Sequence, residues 1–127
     1  MNYLLDTHTM IWYLEDVSKI SSKVKEILKS TDAKKHFSSV SLWEIVIKVS
    51  LGKLNLSILF DELVAIITNS DVNILQIESE YLKHLSLLPY IHKDPFDRII
   101  IATALADSLT IITADDNIQK YDVPWIW

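Results

Sequence analysis

Apolar and polar residues follow one another along this chain in short blocks with two different periods. Four short blocks predict strands: the first is a buried apolar run, the second is a brief segment, the third alternates apolar and polar residues, and the fourth is a β-branched run. The chain ends in a fifth block that predicts an edge strand or an ordered tail. These blocks are Asn2 to Leu5, Lys35 to Phe37, Val72 to Ile77, Leu109 to Ile112 and Val123 to Trp127.

Helices are predicted between the strands, where apolar residues recur every three or four positions. Gly52, the only glycine, is typical of a helix C-terminus. The alternation of strands and helices predicts one α/β domain over residues 1–127, built as a three-layer α/β/α sandwich with a mainly parallel sheet. The predicted helices begin at Thr7, at Ser21 or Ser22, just after Ser41, at Ile58, at Glu78 and at Pro95, with a short helical turn over Asn117 to Tyr121.

Composition narrows the class of protein. Half of the 127 residues are hydrophobic, no segment resembles a transmembrane helix or a signal peptide, and there is no cysteine, so we expect a cytoplasmic globular domain without disulfides or zinc fingers. A single glycine excludes the glycine-rich phosphate loops of nucleotide-binding folds. The net charge of −5 gives no sign of a broad basic face for nucleic acid.

The segment from His92 to Arg98 opens the most apolar predicted helix. Pro95 suits the first helical position, so Asp94 becomes the N-cap and Asp97 the third helical residue. Acidic residues at a helix start satisfy unpaired N–H groups and suit the helix dipole, which is the structural interpretation of both. The functional interpretation is that Asp97 faces the edge of the sheet and binds a divalent cation.

Three more acidic residues are expected, like Asp97, to lie where a predicted strand gives way to a predicted helix: Asp6, Glu44 and Asp115. Because strand–helix junctions of a parallel sheet share one edge, we expect these carboxylates to converge with Asp97 and to repel one another unless a cation is bound. Oxygen ligands without a His or Cys cluster favour Mg²⁺ or Mn²⁺. Glu44 also has structural interpretations, since Ser41 lies at capping-box spacing and Lys48 at ion-pair spacing.

Taken together, four segments of the chain resemble the PIN-domain family, in particular the VapC toxins of bacterial toxin–antitoxin pairs. The resemblance implies a parallel sheet flanked by helices, an acidic pocket and RNA cleavage with Mg²⁺ or Mn²⁺. It also implies that Asp6, Glu44, Asp97 and Asp115 form the acidic set, with Asp6 and Asp97 as the most direct metal ligands and Thr113 as the hydroxyl beside the last acid. The matching segments are Leu4 to His8, Ser41 to Leu54, His92 to Arg98 and Ile112 to Asp115.

Two acids have close competitors. Asp97 is preferred to Asp94 because the family's acid precedes an apolar segment at this distance, which leaves Asp94 as a helix cap. Asp115 is preferred to Asp116 because it is closer to the strand end; Asp116 is then expected to cap a helix, at near-capping-box spacing from Thr113.

Several basic and aromatic residues have two interpretations each. Lys48, Lys53 and Arg98 are candidate phosphate contacts. Otherwise they lie on a solvated face, or Arg98 pairs with Asp94 or Asp97. His92 is expected to be a hydrogen-bonded loop histidine, with a general-base or ligand role as the less favoured interpretation. For His8, a place in the wall of the pocket is likewise the less favoured interpretation. The four tryptophans are expected in the core or at interfaces, and Trp12 and Trp43 are also candidate pocket walls.

These inferences lead to one main hypothesis and two rivals. The main one is a Mg²⁺- or Mn²⁺-dependent endoribonuclease, the toxin of a type II toxin–antitoxin system, with RNA as substrate, a cognate antitoxin as partner and a homodimeric state. Water attacking in line would leave a 3′-hydroxyl and a 5′-phosphate. One rival is a catalytically idle interaction module with the same fold. The other, a phosphotransferase with Asp6 as nucleophile, is disfavoured because the position two residues on is His8 and not a second acid.

Overall fold

The computed structural model describes all residues from 1 to 127. The strands are β1 (Asn2–Leu5), β2 (Lys34–Ser38), β3 (Val72–Leu75), β4 (Thr110–Ile112) and β5 (Trp125–Ile126). The helices are α1 (Thr7–Glu15), α2 (Ser22–Lys29), α3 (Ser39–Ser50), α4 (Phe60–Thr68), α5 (Ser79–Leu87), α6 (Pro95–Asp107) and α7 (Asp116–Gln119), with one 3₁₀ turn over Val17–Lys19. The strands form one sheet in the order β3-β2-β1-β4-β5, and every neighbouring pair is parallel.

Strand β1 lies at the centre of the sheet and is covered on both faces. Leu5 packs with residues of α1, α2 and α4 on one face, and Leu4 packs with Ile100 and Ile101 of α6 on the other. Both leucines are completely buried, as expected when successive side chains of a strand point to opposite faces. The predicted three-layer sandwich with a parallel sheet is therefore confirmed. None of the helices has both the length and the hydrophobicity to cross a membrane.

Helices α5 and α6 form an antiparallel hairpin on one side of the sheet. The hydroxyl of Tyr81, near the start of α5, donates to Asp107 at the end of α6, over 2.6 Å. Arg98, near the start of α6, donates to the carbonyls of Leu88 and Pro89, just after α5. The expectation that every acid follows a strand is therefore wrong for Asp97, whose helix follows another helix. Because α6 leads into β4, its first turn still lies at the carboxyl edge of the sheet.

Element boundaries differ from the prediction by a few residues. Strand β3 ends at Leu75 and not at Ile77, and α4 begins at Phe60 and not at Ile58. Helix α3 begins at Ser39 because the hydroxyl of Ser38 caps it, accepting from the N–H of Val40 at 3.1 Å. The predicted edge strand at the chain end is confirmed by the pairing of β5 with β4.

Candidate metal and catalytic site

Asp6 follows the central strand directly and is held there by three groups. Its N–H donates to the carbonyl of Ile112 at 3.1 Å, which extends the pairing of β1 with β4 by one residue. Its Oδ1 accepts from the N–H of Thr9 at 2.8 Å, so Asp6 is the N-cap of α1. Its Oδ2 accepts from the hydroxyl of Thr113. Burial raises the pKa of Asp6, against the hydrogen bonds from Thr113 and Thr9, which favour the charged form.

Thr113 connects two of the predicted acids. Its hydroxyl donates to Asp6 and accepts from the N–H of Asp115 at 3.0 Å. Asp115 caps α7 by accepting from the N–H of Asn117 at 2.7 Å. The expectation that Asp116 is this cap is wrong, because Asp116 is already the first helical residue. Thr113 therefore lies beside the last acid, as the sequence predicted, and holds it near Asp6.

Asp6 and Asp115 line one surface hollow of about 230 Å³, called the acidic hollow below. His8 and Trp12 form its other side, their rings tilted against each other with centroids 5.8 Å apart. For His8 and Trp12 this arrangement agrees with the less favoured interpretation, in which they line the pocket. The hollow thus opens at the carboxyl end of the sheet, where parallel α/β folds place ligands.

Glu44 reaches the same region from α3. Its Oε1 lies 2.6 Å from the hydroxyl of Thr7, and its Oε2 accepts from Nζ of Lys48 at 2.6 Å. The hydroxyl of Ser41 lies 2.8 Å from that of Thr7. A capping box of Ser41 and Glu44 is therefore wrong, because α3 starts two residues earlier and Ser41 is inside it. The predicted ion pair with Lys48 is present, and it balances a carboxylate that is only 2% exposed.

Asp94 is the N-cap of α6, as the sequence predicted. Oδ1 of Asp94 accepts from the N–H groups of Phe96 and Asp97 at 2.9 and 3.2 Å, with Pro95 in the first turn. Asp97 accepts at Oδ2 from Nε2 of His92 at 3.0 Å. Burial and the nearby charges of three other carboxylates raise the pKa of Asp97 to about 7, against the hydrogen bond from His92. Those carboxylates belong to Asp94, Asp115 and Glu44.

The raised pKa of Asp97 shows that several carboxylates share one region. The pKa of Lys48 reflects the same crowding: although partial burial lowers it, the hydrogen bond that Lys48 donates to Glu44 and the charges of Glu44, Asp94 and Asp97 raise it overall. As the side chains stand, no group of three or more Asp, Glu or His side chains is tight enough to hold a metal ion. The donor chemistry nevertheless fits a hard cation, because Asp6, Asp97 and Asp115 offer only oxygen and none of them forms a direct ion pair with Lys48, which pairs with Glu44.

The position of Arg98 contradicts the two roles predicted for it, a phosphate contact and an ion pair with Asp94 or Asp97. It is 8% exposed, so it is not available to a phosphate on the surface, and it pairs with neither Asp94 nor Asp97. Its Nη1 donates to the carbonyl of Pro89 at 2.9 Å and to the hydroxyl of Tyr121 at 3.1 Å. Its guanidinium also lies 4.5 Å from the ring centroid of Tyr90. Arg98 therefore holds the loop before α6 in place.

Sequence reasoning overlooked Thr7 and Tyr121. Thr7 directly follows Asp6, and this position was the available signal. Tyr121 bonds to His92 over a separation of 29 residues, which no local pattern reveals. His92 itself is a hydrogen-bonded loop histidine, as expected. Trp43 is 58% exposed and packs edge-on against Phe96, with ring centroids 5.3 Å apart, so it is a surface residue and not part of the core.

Comparison with known proteins identifies the family. The chain belongs to the PIN domain family, whose profile matches residues 3–124. Comparison with curated proteins gave no match.

Solved structures with a similar fold include three of VapBC proteins. VapBC2 from Rickettsia felis, bound to a promoter DNA fragment, matches with a TM-score of 0.74 and 15% identity over 99% of this chain and 98% of that one. VapBC from Salmonella typhimurium, bound to DNA, matches with a TM-score of 0.71 and 16% identity over 99% of this chain and 97% of that one. VapBC-1 from nontypeable Haemophilus influenzae matches with a TM-score of 0.69 and 20% identity over 99% of this chain and 97% of that one. At these identities the similarity establishes the fold.

Proposed function

We propose that this protein is a Mg²⁺- or Mn²⁺-dependent endoribonuclease and the toxin of a type II toxin–antitoxin system. The observation that carries the proposal is the crowding of carboxylates around Asp97, whose pKa is raised to about 7 partly by Asp94, Asp115 and Glu44. Crowded carboxylates are costly without a cation, and a site for a hard cation explains why they are kept together. Membership of the PIN domain family and the similarity to the VapBC structures support the same function.

In this proposal Asp6, Asp97 and Asp115 would hold the cation. The cation supplies a positive charge that stabilises the phosphodiester during attack and favours deprotonation of water. Thr9 and Thr113 keep Asp6 in one orientation, and the cap on α7 fixes Asp115. The carboxylates orient a water molecule for in-line attack, which leaves a 3′-hydroxyl and a 5′-phosphate.

Glu44 and Lys48 act as a pair beside these three acids. Lys48 neutralises Glu44, and the hydroxyl of Thr7 binds the other oxygen of that carboxylate. Glu44 therefore helps to shape the site without adding an unbalanced charge. Because Lys48 also interacts with Asp94 and Asp97, it limits the repulsion that an RNA phosphate would meet on approach.

The partners follow from the same reasoning. We propose a cognate antitoxin as partner, supported by the similarity to solved VapBC structures. We also propose a homodimer, supported by apolar side chains that are exposed on α3. Trp43, Val46 and Val49 are 58%, 41% and 43% exposed there. Light scattering on the purified protein tests the homodimer directly: a monomeric mass at micromolar concentration would contradict it.

A second candidate function has an observation of its own. Asp6 and Asp115 are both helix N-caps and Glu44 forms an ion pair with Lys48, so three of the four acids also have a structural role. A catalytically idle interaction module would keep all three for that reason. Binding of Mn²⁺ distinguishes the two functions, since an ion that binds the folded state raises its thermal stability.

The test is cleavage of a structured RNA pool by purified protein with Mn²⁺ or with EDTA, alongside Asp6→Asn. Asparagine caps helices about as well as aspartate, so this variant keeps α1 intact while removing a charge. The matched control is Asp122→Asn, which changes the charge equally at an exposed position. We expect cutting that needs Mn²⁺, is lost in Asp6→Asn and is kept in Asp122→Asn. If the protein cuts no RNA and its melting temperature does not change with Mn²⁺, the result would favour the interaction module.

A further inference from the structure

The hydroxyl of Tyr121 lies at the centre of a buried hydrogen-bond network next to the acidic residues. Tyr121 is 4% exposed. Its Oη lies 3.1 Å from Nη1 of Arg98, 3.2 Å from the backbone nitrogen of His92 and 2.8 Å from Nδ1 of the same histidine. The opposite ring nitrogen of His92, Nε2, lies 3.0 Å from Oδ2 of Asp97. The network therefore runs without a gap from Arg98 to a proposed metal ligand.

Counting protons along this network gives each bond a direction. A guanidinium and a backbone N–H are donors only, so Arg98 and the His92 amide both donate to Tyr121 Oη. These two bonds occupy the acceptor capacity of the hydroxyl, whose own proton has one remaining partner, Nδ1 of His92. Nδ1 is therefore an acceptor. The ring proton of His92 must then lie on Nε2, from which it is donated to Asp97.

Arg98 is anchored in a way that suits this role. Besides Tyr121, it donates to the carbonyls of Pro89 and Leu88, and its guanidinium lies against the ring of Tyr90. Its position is thus fixed by the chain segment just before His92 and by its own helix. The ring of His92 also packs edge-on against Tyr121, with centroids 5.4 Å apart. Arg98 and His92 are thus both held by contacts other than their hydrogen bonds to Tyr121.

We propose that Tyr121, held by Arg98, is a positioning residue that keeps the ring proton of His92 on Nε2 and so fixes the orientation of Asp97. The bond from His92 engages Oδ2 of Asp97 and leaves Oδ1 as the oxygen available to a cation. The catalytic consequence rests on the proposed function, whereas the proton arrangement does not. Hydrogen bonds behind a carboxylate ligand commonly decide how well it binds metal.

The first test is nitrogen NMR of the ¹⁵N-histidine-labelled full chain, without metal. The His92 signals are assigned by their loss in His92→Gln. We expect the unmodified protein to show a protonated Nε2 and an Nδ1 shifted as a hydrogen-bond acceptor. Tyr121→Phe should move Nδ1 towards the value of an unbonded imidazole nitrogen. A proton on Nδ1 in the unmodified protein would overturn the proposal without any variant.

The matched control is Tyr81→Phe. Tyr81 is as buried as Tyr121, at 3% exposure, and its hydroxyl also makes a hydrogen bond, to Asp107. It lies at the far end of the α5–α6 hairpin from His92. Tyr81→Phe should lower the melting temperature and leave the His92 signals unchanged. If both variants changed His92 equally, the effect would reflect general loosening and the positioning role would be wrong.

The second test is kinetic and uses Mn²⁺ with RNA. We expect Tyr121→Phe to lower kcat roughly tenfold with KM nearly unchanged, as is common when a hydrogen-bond partner behind a metal ligand is removed. Tyr81→Phe should keep its kcat. If the unmodified protein cuts no RNA, the proposed function fails while the NMR result still stands on its own. If it cuts RNA and Tyr121→Phe is unchanged in both tests, the positioning role fails alone.

Discussion

The hydroxyl of Thr113 donates a hydrogen bond to Oδ2 of Asp6 across 107 positions of the sequence. This bond joins the carboxyl ends of the two central strands, β1 and β4, and both residues are buried, with exposures of 0% and 4%. The same hydroxyl accepts from the N–H of Asp115. One threonine side chain thus sets the relative positions of two proposed metal ligands.

Replacing Thr113 by valine keeps the shape of the side chain and removes the hydroxyl. Asp6 then loses a donor in a buried place, so we expect unfolding to become easier by about 1–3 kcal/mol in urea titration. RNA cleavage should fall as well, because Asp6 and Asp115 lose their common partner. Thr113→Ser, which keeps the hydroxyl, is the control and should preserve cleavage. Equal cleavage by the valine and serine variants would contradict this role of the hydroxyl.

Local features of this fold could be predicted well because their causes lie within a few residues. Asp94 and Pro95 define the start of α6 by capping and by the fixed backbone angle of proline, both of which are visible in the sequence. The strands β1 and β4 are short apolar blocks, and they were placed within one residue at each end. The acids at their carboxyl ends follow from the geometry of parallel sheets.

Long-range partners could not be predicted in the same way. Lys35 lies in a strand and is 1% exposed, because its Nζ donates to the carbonyls of Leu28 and Ser30 at 2.9 Å and pairs with Asp71 at 2.7 Å. No pattern near Lys35 distinguishes it from the exposed Lys34. Arg98 was misassigned for the same reason. Its partner Tyr121 is far away in sequence and adjacent only after folding.

Stability should depend on pH through Asp97. Its pKa is near 7 in the folded state against an ordinary 3.8, so between these values the folded protein holds a proton that the unfolded chain has lost. The contribution of Asp97 to the free energy of unfolding is therefore fully present below about pH 4 and is lost as the pH rises through 7. Asp97→Asn carries no such proton. Its melting temperature relative to the unmodified protein should rise from pH 4 to pH 8.

The expected size of this stability difference follows from the shift in the pKa of Asp97. It sets an upper limit of about 4 kcal/mol, and because the side chain is partly exposed we expect about 1–2 kcal/mol, or roughly 4–8 °C. Calorimetry in EDTA measures this gain. Asp122→Asn, which removes the same charge at an exposed position, is the control. A flat difference for Asp97→Asn would mean that the carboxylates are less crowded than the structure indicates.

Lys48 should matter more for stability than a surface lysine. Lys48→Met leaves the carboxylate of Glu44 buried at 2% exposure with no opposite charge. Breaking a fully buried pair costs about 3–5 kcal/mol, and since Lys48 is 31% exposed we expect about 1–3 kcal/mol here. Removing the charge of Glu44 at the same time, in Glu44→Gln with Lys48→Met, should recover part of the loss in urea titration. If the double variant were no more stable than Lys48→Met, the pair would not be coupled.

Two more lysines define a basic hollow next to the acidic residues. A depression of about 370 Å³ between the end of α3 and the start of α6 is lined by three lysines, Lys48, Lys53 and Lys93, and by one acid, Asp94. Since Lys48 is engaged by Glu44, Lys53 and Lys93 are the exposed cations left for an RNA phosphate. We expect each of Lys53→Gln and Lys93→Gln to weaken binding of single-stranded RNA and to reduce its salt dependence by a slope of about 0.7.

Fluorescence anisotropy in EDTA, over a series of salt concentrations, measures this effect without cleavage of the RNA. Lys23→Gln, an equal charge change at an exposed position on α2 outside the basic hollow, is the control and should leave the slope unchanged. The slope separates a phosphate contact from a general change in net charge, which would affect all three variants alike. Identical slopes for Lys23→Gln, Lys53→Gln and Lys93→Gln would therefore show that RNA does not pass through the basic hollow.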